Sequence, residues 1–345
     1  MTPPKRALMM QLRRIGDVLM CTPSIRAFKI RYPDCRLDFL TELPEVLDGN
    51  PHLDSVISVD RSRQYDPFYQ YRLINKIRKS RYDLAVDFFA NPRSAYYSYL
   101  SRAPIRLSYG FGHRRWAYNL TPAKEKSAIY AARDRLNLLK AIDIPSESCR
   151  LEFYPSENDR GRAAELLRGL AGKPLATISP VSRQAFNRWP LERYAELGRF
   201  LASEFDFRLV LLSGPGEEET AHRLAGLMTP VEPLVPRIDR LGQLGAIFER
   251  AEIHIGNDNG PKHIAVACGA PTFTVFGPHS HISWTYPDAE RHGHIRPADT
   301  DDICRLPDHV CDEKCISKIP VEAVLIKLSA LIAGLRSAGS SVKTR

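Results

Sequence analysis

The chain has 345 residues, 43% of them hydrophobic and 26% charged, with 49 Lys+Arg against 40 Asp+Glu. That length exceeds what a single hydrophobic core supports, so two domains of about 170 residues are expected, and the composition excludes a disordered or low-complexity chain. The apolar stretch 7–12 is far short of the ~20 residues a membrane span needs, so neither a signal peptide nor a transmembrane helix is expected. Seven scattered cysteines fit free thiols in a reducing cytoplasm. The charge is lopsided: residues 1–172 hold 29 Lys+Arg against 19 Asp+Glu, and residues 173–345 hold 20 against 21. A basic half beside a neutral half points to an anionic ligand or surface met by the first, or to a solvated basic face.

In chain order, the apolar run 7–12 predicts a strand buried on both faces. Arg13-Arg14-Ile15-Gly16-Asp17 breaks it, with Gly16 supplying a tight turn before a helix over 18–31. Strands are predicted at 36–41, 55–59 and 84–89, with a helix at 71–80, and this βα alternation means a parallel sheet. A helix at 158–170 ends on Ala171-Gly172-Lys173-Pro174, a stop signal, and the domain boundary is placed there. The second half repeats the alternation: strands at 175–179, 208–213, 253–256 and 272–276, and helices at 191–204, 218–227 and 241–251. Residues 336–345 are expected to be a disordered tail. Ligands of such sheets bind beyond the carboxyl ends of the strands.

The most informative segment follows the strand at 253–256. Gly256-Asn257-Asp258-Asn259-Gly260-Pro261-Lys262-His263 opens a helix, with Gly260 as N-cap, Pro261 at the first helical position and Gly269 as the stop. The free amides of that start, with Lys262 beside them, form a site for a phosphate. Asp258, Asn259 and His263 crowd the same turn, as ligand contacts or as loop braces.

Residues 257–265, with Gly269-Ala270-Pro271-Thr272 and Phe276-Gly277-Pro278, resemble the nucleotide-sugar loop of the bacterial ADP-heptose:lipopolysaccharide heptosyltransferases. Arg14-Ile15-Gly16-Asp17-Val18-Leu19 with Thr22-Pro23 resembles the first motif of that family. Tyr82-Asp83-Leu84-Ala85-Val86-Asp87 before Arg93-Ser94, Arg188-Trp189-Pro190 before Tyr194-Ala195-Glu196-Leu197, and the Cys311 to Val324 ending are similar in order and spacing.

The resemblance implies an α/β GT-B fold: two Rossmann-like, doubly wound parallel-sheet domains facing a central cleft. Residues 1–172 would bind the acceptor and 173–335 the nucleotide sugar. It implies inverting, metal-independent transfer of heptose from ADP-heptose to an inner-core lipopolysaccharide sugar, with no other cofactor. The enzyme would be cytoplasmic and peripheral to the inner membrane. Asp17 falls where the family places its catalytic base, which fits the need for a carboxylate to take the acceptor hydroxyl proton; as a residue it also suits a helix N-cap. The resemblance assigns Ser182, Arg183 and Asn187 to the diphosphate loop, Glu217 to the ribose, and Asp258, Asn259, Gly260 and His263 to the sugar and phosphates. Many relatives carry lysine where this chain has Asn187. Either Arg183 or Arg188, the nearest cations, substitutes, or donor preference differs. Arg13, Arg14 and Arg93, at or just beyond strand ends, are expected to read acceptor carboxylates or phosphates, or else to solvate the surface or pair with Asp34 and Asp87.

Two weaker patterns are read down. Ser213-Gly214-Pro215-Gly216 lacks the third glycine of a dinucleotide fingerprint, and Glu217-Glu218-Glu219 would repel a pyrophosphate. Cys304, His309, Cys311 and Cys315 lack the paired spacing of a zinc knuckle, so buried thiols and no metal are expected. Alternatives kept open are a same-fold transferase with another donor or acceptor, and a non-catalytic binder of anionic lipid or nucleic acid. A binder of polyanions gains nothing from Asp17 and Asp258, and no nucleic-acid partner is expected.

Overall fold

Among the described residues, ten strands pair into two five-stranded sheets, and every ladder between paired strands is parallel. The computed structural model describes residues 2–145, 148–277, 281–300 and 315–342. It divides into two compact units, 1–154 and 155–345.

The first unit runs β1 (Arg6–Met10), α1 (Ile15–Leu19), α2 (Thr22–Arg31), β2 (Arg36–Thr41), β3 (Ser55–Ser58), α3 (Pro67–Lys79), β4 (Leu84–Asp87), α4 (Pro92–Leu100), β5 (Ile105–Leu107) and α5 (Ala131–Leu139). Its strand order is β3-β2-β1-β4-β5. Residues Ala7 to Met10 and all of β4 are buried, as central strands covered on both faces must be. The helix predicted over 18–31 is broken into α1 and α2, because Pro23 has no amide to offer the carbonyl of Leu19; the Thr22 hydroxyl donates to it instead at 2.7 Å. Asp66 caps α3 by accepting from the Tyr69 amide at 3.0 Å, and Leu73 and Ile77, one turn apart, turn inward onto β1, β2 and β4.

The second unit runs α6 (Glu157–Leu166), β6 (Leu175–Ser179), α7 (Leu191–Phe205), β7 (Arg208–Leu211), α8 (Glu218–Leu227), α9 (Leu241–Phe248), β8 (Ile253–Asn257), α10 (Gly260–Ala267), β9 (Thr272–Val275), α11 (His281–Trp284), β10 (His292–Ile295) and α12 (Val321–Val342). Its order is β10-β9-β8-β6-β7. Trp189, Tyr194, Leu197 and Leu201 of the α7 region pack with β6–β9 and with Val324, Leu328 and Ile332 of α12 in one core.

Two boundaries differ from the sequence expectation. Helix α6, placed before the boundary at Gly172, belongs to the second unit: Arg160 holds Glu249 through two hydrogen bonds of 2.8 and 2.9 Å, and the Asp159 carboxylate fills the space beside Gly242 of α9. At the other end, α12 continues to Val342, so 336–342 is helical where a disordered tail was expected. Cys304, His309 and Cys311 lie outside the described residues; Cys315 is buried.

Candidate active site

In open α/β sheets a ligand sits where the chain's winding reverses, beside the carboxyl ends of the two strands that flank the reversal. In the first sheet those strands are β1 and β4. The turn after β1 is strained: Arg14 has φ +68° and ψ 124°, outside the regions a side-chain-bearing residue prefers. Asp17 follows in the first turn of α1. It does not cap that helix, whose start has no side-chain cap. Instead its Oδ1 accepts from Nη2 of Arg135 at 2.7 Å, with the two side chains 16% and 12% exposed. Nη1 of Arg135 donates to the Ala131 carbonyl at 3.1 Å, which fixes the guanidinium on α5. The contact uses one carboxylate oxygen, and among the described residues Oδ2 accepts no hydrogen bond. Cys21 lies against the same turn, its Sγ donating to the Asp17 carbonyl at 3.4 Å, and burial pushes its thiol up to about 12, which makes it a neutral packing group.

The three acceptor-side arginines separate. Arg13 and Arg93 both ion-pair with Glu42, just past β2 and only 5% exposed, whereas Arg14 is exposed. Arg93 therefore pairs with Glu42 rather than with Asp34 or Asp87. The Asp87 carboxylate braces the β4–α4 turn, accepting from the amides of Phe89 and Ala90 at 3.0 and 2.9 Å and from the Tyr118 hydroxyl at 2.7 Å; burial pushes its pKa up. Arg135 and Glu42 carry no signal in the sequence, since each matters only through a partner far along the chain.

In the second sheet the reversal lies between β6 and β8. Gly256 stands opposite Ser179, and a Cβ there would fall 2.6 Å from the Ser179 carbonyl oxygen, so only glycine lets these strands approach. The cap of α10 is Asn259 and not Gly260: its Oδ1 accepts from the Lys262 amide at 3.1 Å, while Nδ2 donates to Ser179 Oγ and the Val181 carbonyl, both at 2.8 Å. Asn259 thus ties the β6 loop to the helix start. Lys262 is also more committed than its position implied. It is buried over the Phe276 ring, ion-paired to Asp258, and donates to the Trp284 carbonyl at 3.0 Å. Burial pulls its pKa down and Asp258 opposes that pull. His263 Nε2 is 3.7 Å from the same carboxylate, so Asp258 gathers both neighbours.

Around this turn, Ser182 Oγ donates to the Asp258 carbonyl at 3.5 Å, and Arg188 Nε donates to the Ser182 carbonyl at 2.6 Å. Asn187 is buried, and its Oδ1 has no hydrogen-bond partner among the described residues. Arg183 is exposed. Glu217 lies on the adjacent β7 loop, with Oε2 accepting from the Gly214 amide at 3.0 Å. The second unit therefore assembles Ser182, Arg188, Asp258, Asn259, Gly260, Lys262 and His263 at one switch point, with the N-terminal end of α10 as a locus of partial positive charge.

The sequence profile of glycosyltransferase family 9 (heptosyltransferase) matches residues 70–307, well over half of the chain. The chain belongs to glycosyltransferase family 9. Among curated family members it is 27% identical over 288 residues to lipopolysaccharide heptosyltransferase 3 of Escherichia coli, covering 79% of this chain and 84% of that one. A family 9 glycosyltransferase from Veillonella parvula superposes with a TM-score of 0.82 at 21% identity, covering 95% of this chain and 97% of that one. The E. coli heptosyltransferase WaaC, solved with ADP-2-deoxy-2-fluoro heptose, superposes with a TM-score of 0.69 at 20% identity, covering 94% and 99%. These likenesses show the GT-B fold, in agreement with two Rossmann-like units.

Proposed function

We propose that this family 9 enzyme moves a heptose from ADP-heptose to an inner-core lipopolysaccharide sugar with inversion at the anomeric carbon. The observation that carries the proposal is Asp17: a carboxylate at the first sheet's switch point, oriented by Arg135 through one oxygen with the other left open. In the reaction the acceptor hydroxyl oxygen attacks the anomeric carbon and its proton passes to Asp17 Oδ2. The bond from that carbon to ADP breaks with its electron pair on the phosphate oxygen. General-base help of this kind is worth about 10²–10⁴ in rate.

The departing diphosphate gains negative charge and needs fixed donors. We assign that task to the N-terminus of α10 with Ser182, Arg183 and Arg188, and assign Asp258, Asn259, Gly260 and His263 to the sugar and phosphates and Glu217 to the ribose. Lys262 serves by holding Asp258 in place. No divalent metal is required in this scheme. Arg13, Arg14 and Arg93 read the anionic acceptor, which places acceptor binding in the basic first unit and the donor in the neutral second. The enzyme works in the cytoplasm at the inner-membrane surface. The buried Asn187, where the resemblance leads one to expect lysine in many family members, favours a second reading in which the same machinery takes a different nucleotide sugar. Mass spectrometry of the product decides between them. With ADP-heptose and an inner-core acceptor, the acceptor mass should grow by one heptose residue; growth only with another nucleotide sugar would overturn the assignment.

A further inference from the structure

All seven exposed aromatic side chains among the described residues lie between Tyr65 and Trp116, and the second unit exposes none. Four of them, Phe68, Tyr71, Tyr96 and Tyr99, fall on the two helices that cover one face of the first sheet. Helices α3 and α4 lie side by side there, joined by the Tyr97 hydroxyl donating to Gln70 Oε1 at 2.7 Å, and both send residues into the core beneath. Their outer surface exposes Phe68 and Tyr71 from α3 and Tyr96 and Tyr99 from α4, with Trp116 packed edge-on against both α4 tyrosines at 5.3 and 5.2 Å.

The same stretch of chain is strongly basic. Residues 61–81 contain seven Lys+Arg against one Asp, in a chain whose net charge is +9. At the carboxyl end of α3 a depression of about 570 Å³ is lined by Arg6, Arg72, Asn75, Lys76, Lys79 and Ser80. It holds four cations and no carboxylate, and among the described residues none of the four forms an ion pair. Along the outer stripe of α3 the groups are segregated: Phe68 and Tyr71, 77% and 66% exposed, come first, and Arg72, Lys76 and Lys79 follow.

We propose that this α3–α4 face is the docking surface for an anionic lipid bilayer. It rests on the membrane reading given above and adds the surface that does the binding. Tyrosine and tryptophan settle at the boundary between headgroups and acyl chains, and unpaired lysines and arginines meet lipid phosphates. A strand of nucleic acid would call for aromatics and cations interleaved along a groove rather than segregated along a helix.

The test is cosedimentation of the full-length protein at about 0.15 M salt with vesicles of phosphatidylethanolamine and phosphatidylglycerol, and with phosphatidylcholine vesicles. Wild type should bind the anionic vesicles and largely ignore the neutral ones. The triple variant Arg72→Glu, Lys76→Glu, Lys79→Glu and the double variant Phe68→Ser, Tyr71→Ser should each lose about tenfold or more in partitioning. Both should keep wild-type melting behaviour and turnover on a soluble, delipidated acceptor. Arg223→Glu with Arg237→Glu, on the second unit, should bind like wild type. If wild type binds and the α3 variants bind equally, this surface is wrong while the membrane reading stands. If wild type ignores anionic vesicles, or binds an RNA or DNA oligonucleotide in their place, both fail.

Discussion

Replacing Arg135 by methionine removes the one ion-pair partner of Asp17 among the described residues while keeping an unbranched apolar stem. The pair is short, 2.7 Å, and both side chains are mostly buried, so the substitution strands a carboxylate in a poorly solvated place. Breaking such a pair from one side costs about 3–5 kcal/mol. For a unit of 154 residues, where each kcal/mol moves the melting temperature by about 2–4 °C, even the lower figure implies a fall of about 6–12 °C in the melting of the first unit. The kinetic effect should separate from this. Asp17 loses its orientation but not its chemistry, so kcat and kcat/KM should fall together by about tenfold or more with both KM values little changed. Arg135→Lys, which keeps the charge but not the second anchor on Ala131, should recover part of each loss. The assays are calorimetry and steady-state ADP release on folded protein. An Arg135→Met enzyme with wild-type kcat and a melting temperature within about 2 °C of wild type would show that the pair neither orients the base nor supports the fold.

The second unit should be the acid-labile one. Burial holds His254 down to about 3, and His292 and His294 down to about 4. The unfolded chain takes up a proton at each below about pH 6.5 while the native state does not, so stability is complete above that pH and drains away as pH falls toward 4, at about 1.4 kcal/mol per unit of depression; a second-unit melting temperature that is flat from pH 7 to 5 would contradict this. Activity should survive excess EDTA, and loss on chelation with recovery on adding magnesium or manganese would overturn the metal-free account of the leaving group. Arg93→Ala should raise acceptor KM about tenfold and leave donor KM unmoved. It should also lower stability, because among the described residues Glu42 then keeps only Arg13 as ion-pair partner; a change confined to donor KM would reverse the assignment of acceptor and donor to the two units.

Segments that carry their reason for folding within themselves were legible in the sequence. The apolar runs at β2 and β6 and the punctuated helix α8 appear at the residues predicted. So does the placement of Asp17 and of the Asp258–His263 turn beyond strand ends, because a break after a buried strand marks a carboxyl edge. Illegible were the features that depend on a distant partner. The Ala171–Pro174 stop marks where a helix ends but not which sheet that helix joins, and α6 joins the second through Glu249 and Gly242. Strands β5 and β10 were missed because three residues, or four with two histidines among them, carry no periodic pattern. Likewise Asn259 takes the cap that Gly260 was expected to hold, since its amide also reaches across to Ser179, a contact only the folded sheet creates.

Asp17→Asn tests the central claim most directly, because asparagine can still accept from Arg135 through Oδ1 but can no longer take a proton. Turnover of ADP-heptose with an inner-core acceptor, measured beside ADP affinity, should fall about a hundredfold or more while ADP binding stays unchanged. An Asp17→Asn enzyme that keeps more than half of wild-type turnover would remove this carboxylate from the chemistry, and with it the account of the first unit as the seat of the base.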